Sequence, residues 1–237
     1  MEAPPHMSRE AILNSIRRSL AVTGAEDSRR KIVAERIHAH RPNLMPERGK
    51  GDSAHLLALF AEMAGEVSAT VARVENLDEL PSAIQNFLRA HNLPQTIRHG
   101  ADPLIEALPW QQHAPSLERR RGRAVLADET SLSHAFGGVA ETGTLILHSG
   151  SDNPTTLNFL PDNHIVILSA EDIAGTYEEV WDRLRRKFGE GNLPRTVNMI
   201  TGPSRTGDVE QTIELGAHGP RRLHILIVDG PAGPGRV

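Results

Sequence analysis

The chain contains no cysteine. That excludes disulfides, thiolate nucleophiles, Cys-ligated zinc and Cys-ligated iron–sulfur clusters together. Any metal cluster in a reaction this protein serves must be held by another chain. Aromatic residues are also scarce, with five Phe, two Trp and one Tyr, too few for a base-stacking RNA platform. No window approaches the ~18 consecutive apolar residues of a membrane span. The opening MEAPPHMSRE has no basic stretch followed by an apolar core, so no secretory signal is expected and the expected compartment is the cytoplasm. The P-loop lysine signature, the dinucleotide glycine fingerprint and the serine-hydrolase nucleophile elbow are all missing.

What is present begins with charge. A formal net charge of -4 argues against a globally basic nucleic-acid binder. The runs Arg119-Arg120-Arg121-Gly122-Arg123 and Arg221-Arg222 are read as solvated or subunit-facing. Twelve histidines are scattered, His38 and His40 being the one close pair, and no spacing suggests a metal site. A chain of 237 residues suits one large domain or a domain with an arm, and should bury roughly 70–75% of the surface its unfolded form exposes.

Residues 8–21 read as a helix capped by Ser8, with Ile12, Ile16 and Leu20 on one face. Residues 27–40 carry a thinner stripe of Ile32, Val33 and Ile37, and 41–51 holds two prolines and two glycines, as a linker does. Residues 1–50 are therefore either a helical arm or an ordinary pair of packed helices. The main domain spans 51–230, and a loose tail 231–237 follows. Helices are expected at 53–65, at 78–91 with Asp78 as cap, and at 176–188. The last has a Thr176–Glu179 capping box, an Asp182–Arg186 pair and Gly189 as its stop. Tyr177, Val180, Trp181, Leu184 and Phe188 share one of its faces. Strands are expected at 68–74, 95–98, 123–127, 143–149, 164–169, 196–201 and 223–228. Several are continuous apolar runs of the kind covered on both faces, which argues for an α/β fold with a largely parallel sheet flanked by helices.

Three segments can carry chemistry. Residues 202–210, GPSRTGDVE, follow an apolar strand and are expected to open a short helix near 208–214. Such a turn at the carboxyl end of a sheet gathers the N–H groups near Gly202, the Ser204 and Thr206 hydroxyls and the Arg205 guanidinium around an anion. Asp208 either caps the helix or orients Arg205. The alternative is a plain N-cap with a surface arginine. Residues 137–149, GGVAETGTLILHS, place Glu141, Gly143 and Thr144 at the mouth of a buried strand. There Glu141 is a base, a nucleophile, or a turn residue capping nearby donors. Residues 216–220, GAHGP, put His218 between small residues, free to approach a ligand or to make a backbone contact.

Together, GGVAETGTLIL, the strand around Ile165-Val166-Ile167, GPSRTGDVE and LGAHGPRRLHILIVDG resemble the LUD-domain family, that of lactate utilization protein C. The resemblance is densest over residues 124–230. It implies a fold like the NagB/RpiA/CoA-transferase group and a part in oxidising L-lactate to pyruvate. It also implies two partner proteins that carry iron–sulfur clusters, none being bound by this chain. Glu141-Thr142-Gly143 is similar to the Glu-x-Gly step of class I CoA-transferases, although threonine stands where those enzymes commonly have asparagine. The leading expectation is a subunit that binds a small carboxylate, held by Arg205 with Glu141 and His218 at its hydroxyl or keto end, or that assists assembly. The alternatives are an independent CoA-transferase-like or sugar-phosphate isomerase-like enzyme using Glu141, and an interaction protein whose arm docks a partner or a second copy as a homo-oligomer.

Overall fold

The apolar runs at 163–169 and 222–228 form neighbouring strands in the middle of a six-stranded sheet, and nearly every residue in them is buried. The computed structural model describes residues 8–189, 191–206 and 214–229. It divides into two units, Met1–Leu44 and Met45–Val237.

The first unit contains α1 (Arg9–Ser19) and α2 (Asp27–Ala39). The Ser8 hydroxyl caps α1, accepting from the Ala11 N–H at 3.2 Å. Neither helix has a buried residue, and Ile12, Ile16, Leu20, Ile32, Val33 and Ile37 are all exposed.

The second unit begins with α3 (Ser53–Glu66), β1 (Thr70–Val74), α4 (Leu80–Ala90), β2 (Thr96–His99), α5 (Pro103–Ala107), α6 (Trp110–His113) and β3 (Glu118–Arg121). It continues with β4 (Thr130–His134), β5 (Gly137–Val139), β6 (Thr144–His148), α7 (Thr156–Phe159), β7 (Asn163–Ser169), β8 (Ile173–Ala174) and α8 (Tyr177–Phe188). Last come β9 (Val197–Ile200), β10 (Arg205–Thr206), β11 (Glu214–Leu215) and β12 (Arg222–Val228).

The main sheet has the order β1-β12-β7-β4-β2-β3 and is parallel throughout. Because side chains alternate along a strand, β7 splits its apolar residues between two cores. Ile165 and Ile167 pack with Leu226, Val228 and the α4 residues Leu80, Ile84 and Leu88. Val166 and Leu168 pack on the other face with Ile225, Ile227, Phe60 and Ala64 of α3, and Leu145 and Leu147 of β6. A second sheet, β8-β5-β6-β9, thus lies over α3's side of the main sheet, and its outer face buries Val139 and Ile146 against Val180 and Leu184 of α8. Each fully buried Leu, Ile or Phe contributes ~1.5–3 kcal/mol, so these faces hold the layers together.

The fold is α/β, with a largely parallel central sheet flanked by helices, and several details depart from the sequence expectation. The expected strands at 143–149 and 196–201 are β6 and β9, which pair antiparallel in the smaller sheet and not in the parallel one. No strand occupies 123–127; the strand is β3, four charged residues that run along an edge and pair with β2 alone. Asp78 does not cap the helix, because the Asn76 side chain accepts its N–H in a preceding turn of 3-10 helix. In α8 the Asp182 carboxylate pairs with Arg185 at i,i+3, not with Arg186, which reaches the Asp182 carbonyl instead. Glu179 of the capping box accepts from the Gly175 N–H at 3.2 Å, while Thr176 makes no bond to a backbone donor of the first turn. Asp208, the tail 231–237 and all but Glu214 of the helix expected near 208–214 lie outside the described residues; Glu214 is in a strand.

Candidate functional site

β9 ends at Ile200 and the chain turns through Gly202 with φ +74. A side chain there would run into the Val67 carbonyl at the end of α3, so the turn requires glycine. Arg205 and Thr206 are extended and pair antiparallel with Leu215 and Glu214. The Ser204 N–H donates to the Pro220 carbonyl at 2.8 Å, and the Gly216 N–H donates to the Ser204 carbonyl at 3.0 Å. These bonds stitch the GPSRT and GAHGP segments together. The Ser204 N–H is thereby committed to Pro220 and Arg205–Thr206 form a short strand, while the helix start expected after them lies outside the described residues.

The stitched segments form one wall of a cavity of about 260 Å³. Gly202, Ser204, Arg205, His218 and Gly219 line it, as do Asn158, His164 and Leu223. Arg205 and His218 are exposed and mark its mouth, while Asn158, His164 and Leu223 are buried and mark its floor. The floor residues His164 and Leu223 sit at the amino ends of β7 and β12. The cavity therefore lies beyond the carboxyl end of β9 but at the amino ends of the parallel strands, not at their carboxyl ends, where open α/β sheets commonly bind ligands.

At the mouth, Arg205 Nη2 donates to the Ser68 hydroxyl at 2.5 Å, and no carboxylate pairs with the guanidinium among the described residues. Arginine held this way offers a directed, charged donor set for a carboxylate or phosphate. On the floor, His164 Nε2 lies 3.0 Å from the Ser133 hydroxyl, which in turn donates to Asn158 Oδ1 at 3.5 Å. Burial pushes the His164 imidazole down to about 3, so the ring is neutral. His164 Nδ1 and Asn158 Nδ2 are buried without a partner. Among the described residues, no group of three His, Asp or Glu could hold a metal ion, and no helix is long and apolar enough to cross a membrane.

Of the residues singled out from sequence, Gly202, Ser204, Arg205 and His218 come together around this cavity. Glu141, Gly143, Thr144 and Thr206 do not line it. Glu141 is 5% exposed; its N–H donates to the Gly175 carbonyl at 3.2 Å, and no described residue hydrogen-bonds its carboxylate. Gly143, at φ +62, presses on the backbone of α3 at Met63 and Ala64. The buried Thr144 Oγ1 meets the hydroxyls of Thr142, Tyr177 and Thr201 at 2.7, 2.8 and 2.6 Å. Through Thr201, a lining residue, the AETGT segment reaches the cavity rim without entering it.

Sequence reasoning missed Ser133, Asn158 and His164. The one available signal was Asn163-His164, a polar pair heading an otherwise apolar strand. Its meaning depends on Ser133 and Asn158, which are distant in sequence.

Comparison with known proteins places this geometry in a family. The family model described as LUD domain matches residues 57–228. An uncharacterized protein of Neisseria meningitidis is 38% identical over 144 residues, covering 57% of this chain and 59% of that protein. Lactate utilization protein C of Halalkalibacterium halodurans is 25% identical over 187 residues, 75% of this chain and 80% of that one. Its namesake in Bacillus subtilis is 31% identical over 107 residues, 44% and 45% of the two chains. The chain spans about half the length of most curated relatives it matches. The crystal structure of a DUF162 family protein from Deinococcus radiodurans is similar with a TM-score of 0.58 and 25% identity, covering 76% of this chain and 99% of that one. With the domain matched from the middle of α3 to the last residue of β12, the chain belongs to the LUD domain family.

Proposed function

We propose that this protein serves L-lactate utilization in the cytoplasm as a subunit that binds a small carboxylate in the cavity between residues 202–205 and 218–220. The observation that carries this reading is the cavity itself. Arg205 stands at its mouth without a carboxylate partner among the described residues, and His218 and the neutral, buried His164 line the same cavity. At about 260 Å³ it is smaller than the ~300–1,000 Å³ pockets of drug-sized ligands and suits a small acid. The name of the relatives called lactate utilization protein C supports the pathway. Arg205 would hold the carboxylate, with Ser204 and His218 beside it.

The lack of cysteine fits a division of labour in which two iron–sulfur partner proteins carry the electrons while this chain binds the acid or helps assemble the complex. A fold of the NagB/RpiA/CoA-transferase kind belongs to the same reading. The cavity gives the acyl-transfer and sugar-phosphate alternatives little support, because Glu141 is not in its lining.

Complementation tests this reading. In a strain whose own copy is deleted and which has no other lactate dehydrogenase, the wild-type gene should restore growth on L-lactate and Arg205→Ala should not. Growth without any copy removes the pathway role. Full rescue by Arg205→Ala removes the anion site and leaves assembly.

A further inference from the structure

Among the described residues of the first unit, nothing buries the apolar stripe along α1. Leu13, Ile16 and Leu20 recur at spacings of three and four, with Ile12 beside them, and the helix has no buried residue. Ile12, Ile16 and Leu20 are 44%, 49% and 63% exposed. α2 leaves them open and buries nothing of its own, its Ile32, Val33 and Ile37 being more than half exposed. At 11 and 13 residues, both helices are near or below the ~12–15 residues under which a helix alone in water is marginal. Helices this short take their stability from packing an apolar face against another surface.

The chemistry of the stripe says what kind of surface. It is purely aliphatic, and the chain has no Phe, Trp or Tyr before Phe60. Membrane-surface helices and the hot spots of mixed protein interfaces lean on aromatic anchors. Aliphatic residues at three-and-four spacing instead form a seam that packs into the seam of another helix.

The charges beside the stripe say which helix. Glu10 and Arg17 are about two turns apart, so they stand on the same side of the stripe, one near each end of α1. When two copies of α1 cross antiparallel about a two-fold axis, that side of one helix runs along the same side of the other. Glu10 of each copy then meets Arg17 of the second copy, twice per dimer. Arg9, at the amino end of the stripe, comes to the carbonyl end of the opposing helix, where the dipole favours a cation. A parallel pair sets like ends together and makes neither contact.

We propose that α1 is a self-association surface through which two copies of this chain pair antiparallel, with α2 adding its aliphatic residues at the sides. The surface lies outside residues 57–228, which the LUD domain model matches, and it is independent of the carboxylate reading. The six exposed aliphatic residues of each copy cover on the order of 500 Å², so the pair buries ~1,000 Å², the low end for a specific interface, and a dissociation constant on the order of micromolar is expected.

Sedimentation equilibrium of the full chain from about 1 to 100 µM tests it. The mass should rise from one copy toward two across that range. Ile16→Glu should remain monomeric throughout, and since Ile16 is exposed the fold should be untouched. Glu10→Arg and Arg17→Glu should each weaken self-association about tenfold. Mixed in equal amounts, these two variants should recover the wild-type strength. In the mixed pair the introduced arginine meets the introduced glutamate, and the native Arg17 of one copy meets the native Glu10 of the other. Contacts within a single chain cannot be restored by mixing.

A wild-type chain that is monomeric at every concentration overturns the proposal, and if it floats with anionic phospholipid vesicles the stripe belongs to a lipid surface. A dimer that survives Ile16→Glu overturns it by placing the interface elsewhere. A mixture that associates as weakly as its two components overturns the antiparallel pairing.

Discussion

The hydroxyl of Thr144, at the start of β6, lies 2.6 Å from that of Thr201, the residue after β9. This contact joins the AETGT segment to the rim of the cavity, and Thr142 and Tyr177 close the cluster. Thr144→Val would remove the buried hydroxyl that joins these three, leaving Thr142 and Tyr177 bonded to each other at 3.1 Å and Thr201 exposed to water. It should lower stability to urea by ~0.5–1.5 kcal/mol and weaken acid binding, and Thr144→Ser should recover most of both losses. A valine variant as stable as the wild type would show that the cluster holds nothing in place.

Two glycines should respond in opposite directions to alanine. At Gly143 a Cβ would strike the α3 backbone, and φ is +62, so Gly143→Ala should cost about 3 kcal/mol or more. Gly65 lies in α3 with open space around its Cα, so Gly65→Ala should stabilise by ~0.5–1 kcal/mol. Denaturation of the pair checks both signs, and equal effects would contradict the packing described for Gly143.

Stability should fall with acid. Burial pushes His224 down to about 4, with the nearby His91 charge adding to it, and pushes His164 to about 3. The unfolded chain takes up these protons near pH 6.5, while the folded chain excludes them until far lower pH. The stabilisation is therefore complete above about pH 6.5 and is lost as pH falls toward 4, at about 1.4 kcal/mol per unit for each histidine. In His224→Phe, the loss between pH 7 and pH 5 should be smaller by about 2 kcal/mol. An unchanged pH slope would place His224 in contact with water.

Glu141→Gln should leave the fold intact and change L-lactate affinity by about twofold or less, because Glu141 is not in the cavity lining. Incubation with an acyl-CoA should give no adduct on the peptide containing Glu141. An adduct, or loss of lactate growth in a folded Gln variant, would return the acyl-transfer alternative.

What could be read from the sequence was what local periodicity determines. The α8 face of Tyr177, Val180, Trp181, Leu184 and Phe188 was visible because five apolar residues recur at helical spacing. The apolar strands β7 and β12 were visible because burial on both faces leaves them no polar positions. β3 and β4 were not visible. β3 is charged because it lies on an edge, and β4, TSLSH, is polar yet mostly buried, since Leu157, Asn158 and His164 supply its hydrogen bonds from distant segments. The GPSRT and GAHGP segments announced themselves by glycine and proline, but the floor beneath them is a product of β4, α7 and β7 meeting. No short motif encodes it.

The most direct test of the account is diffraction from crystals of the full chain soaked in L-lactate. The account predicts density for the acid in this cavity, its carboxylate on the Arg205 guanidinium. An empty cavity in crystals that hold L-lactate elsewhere on the chain would contradict it.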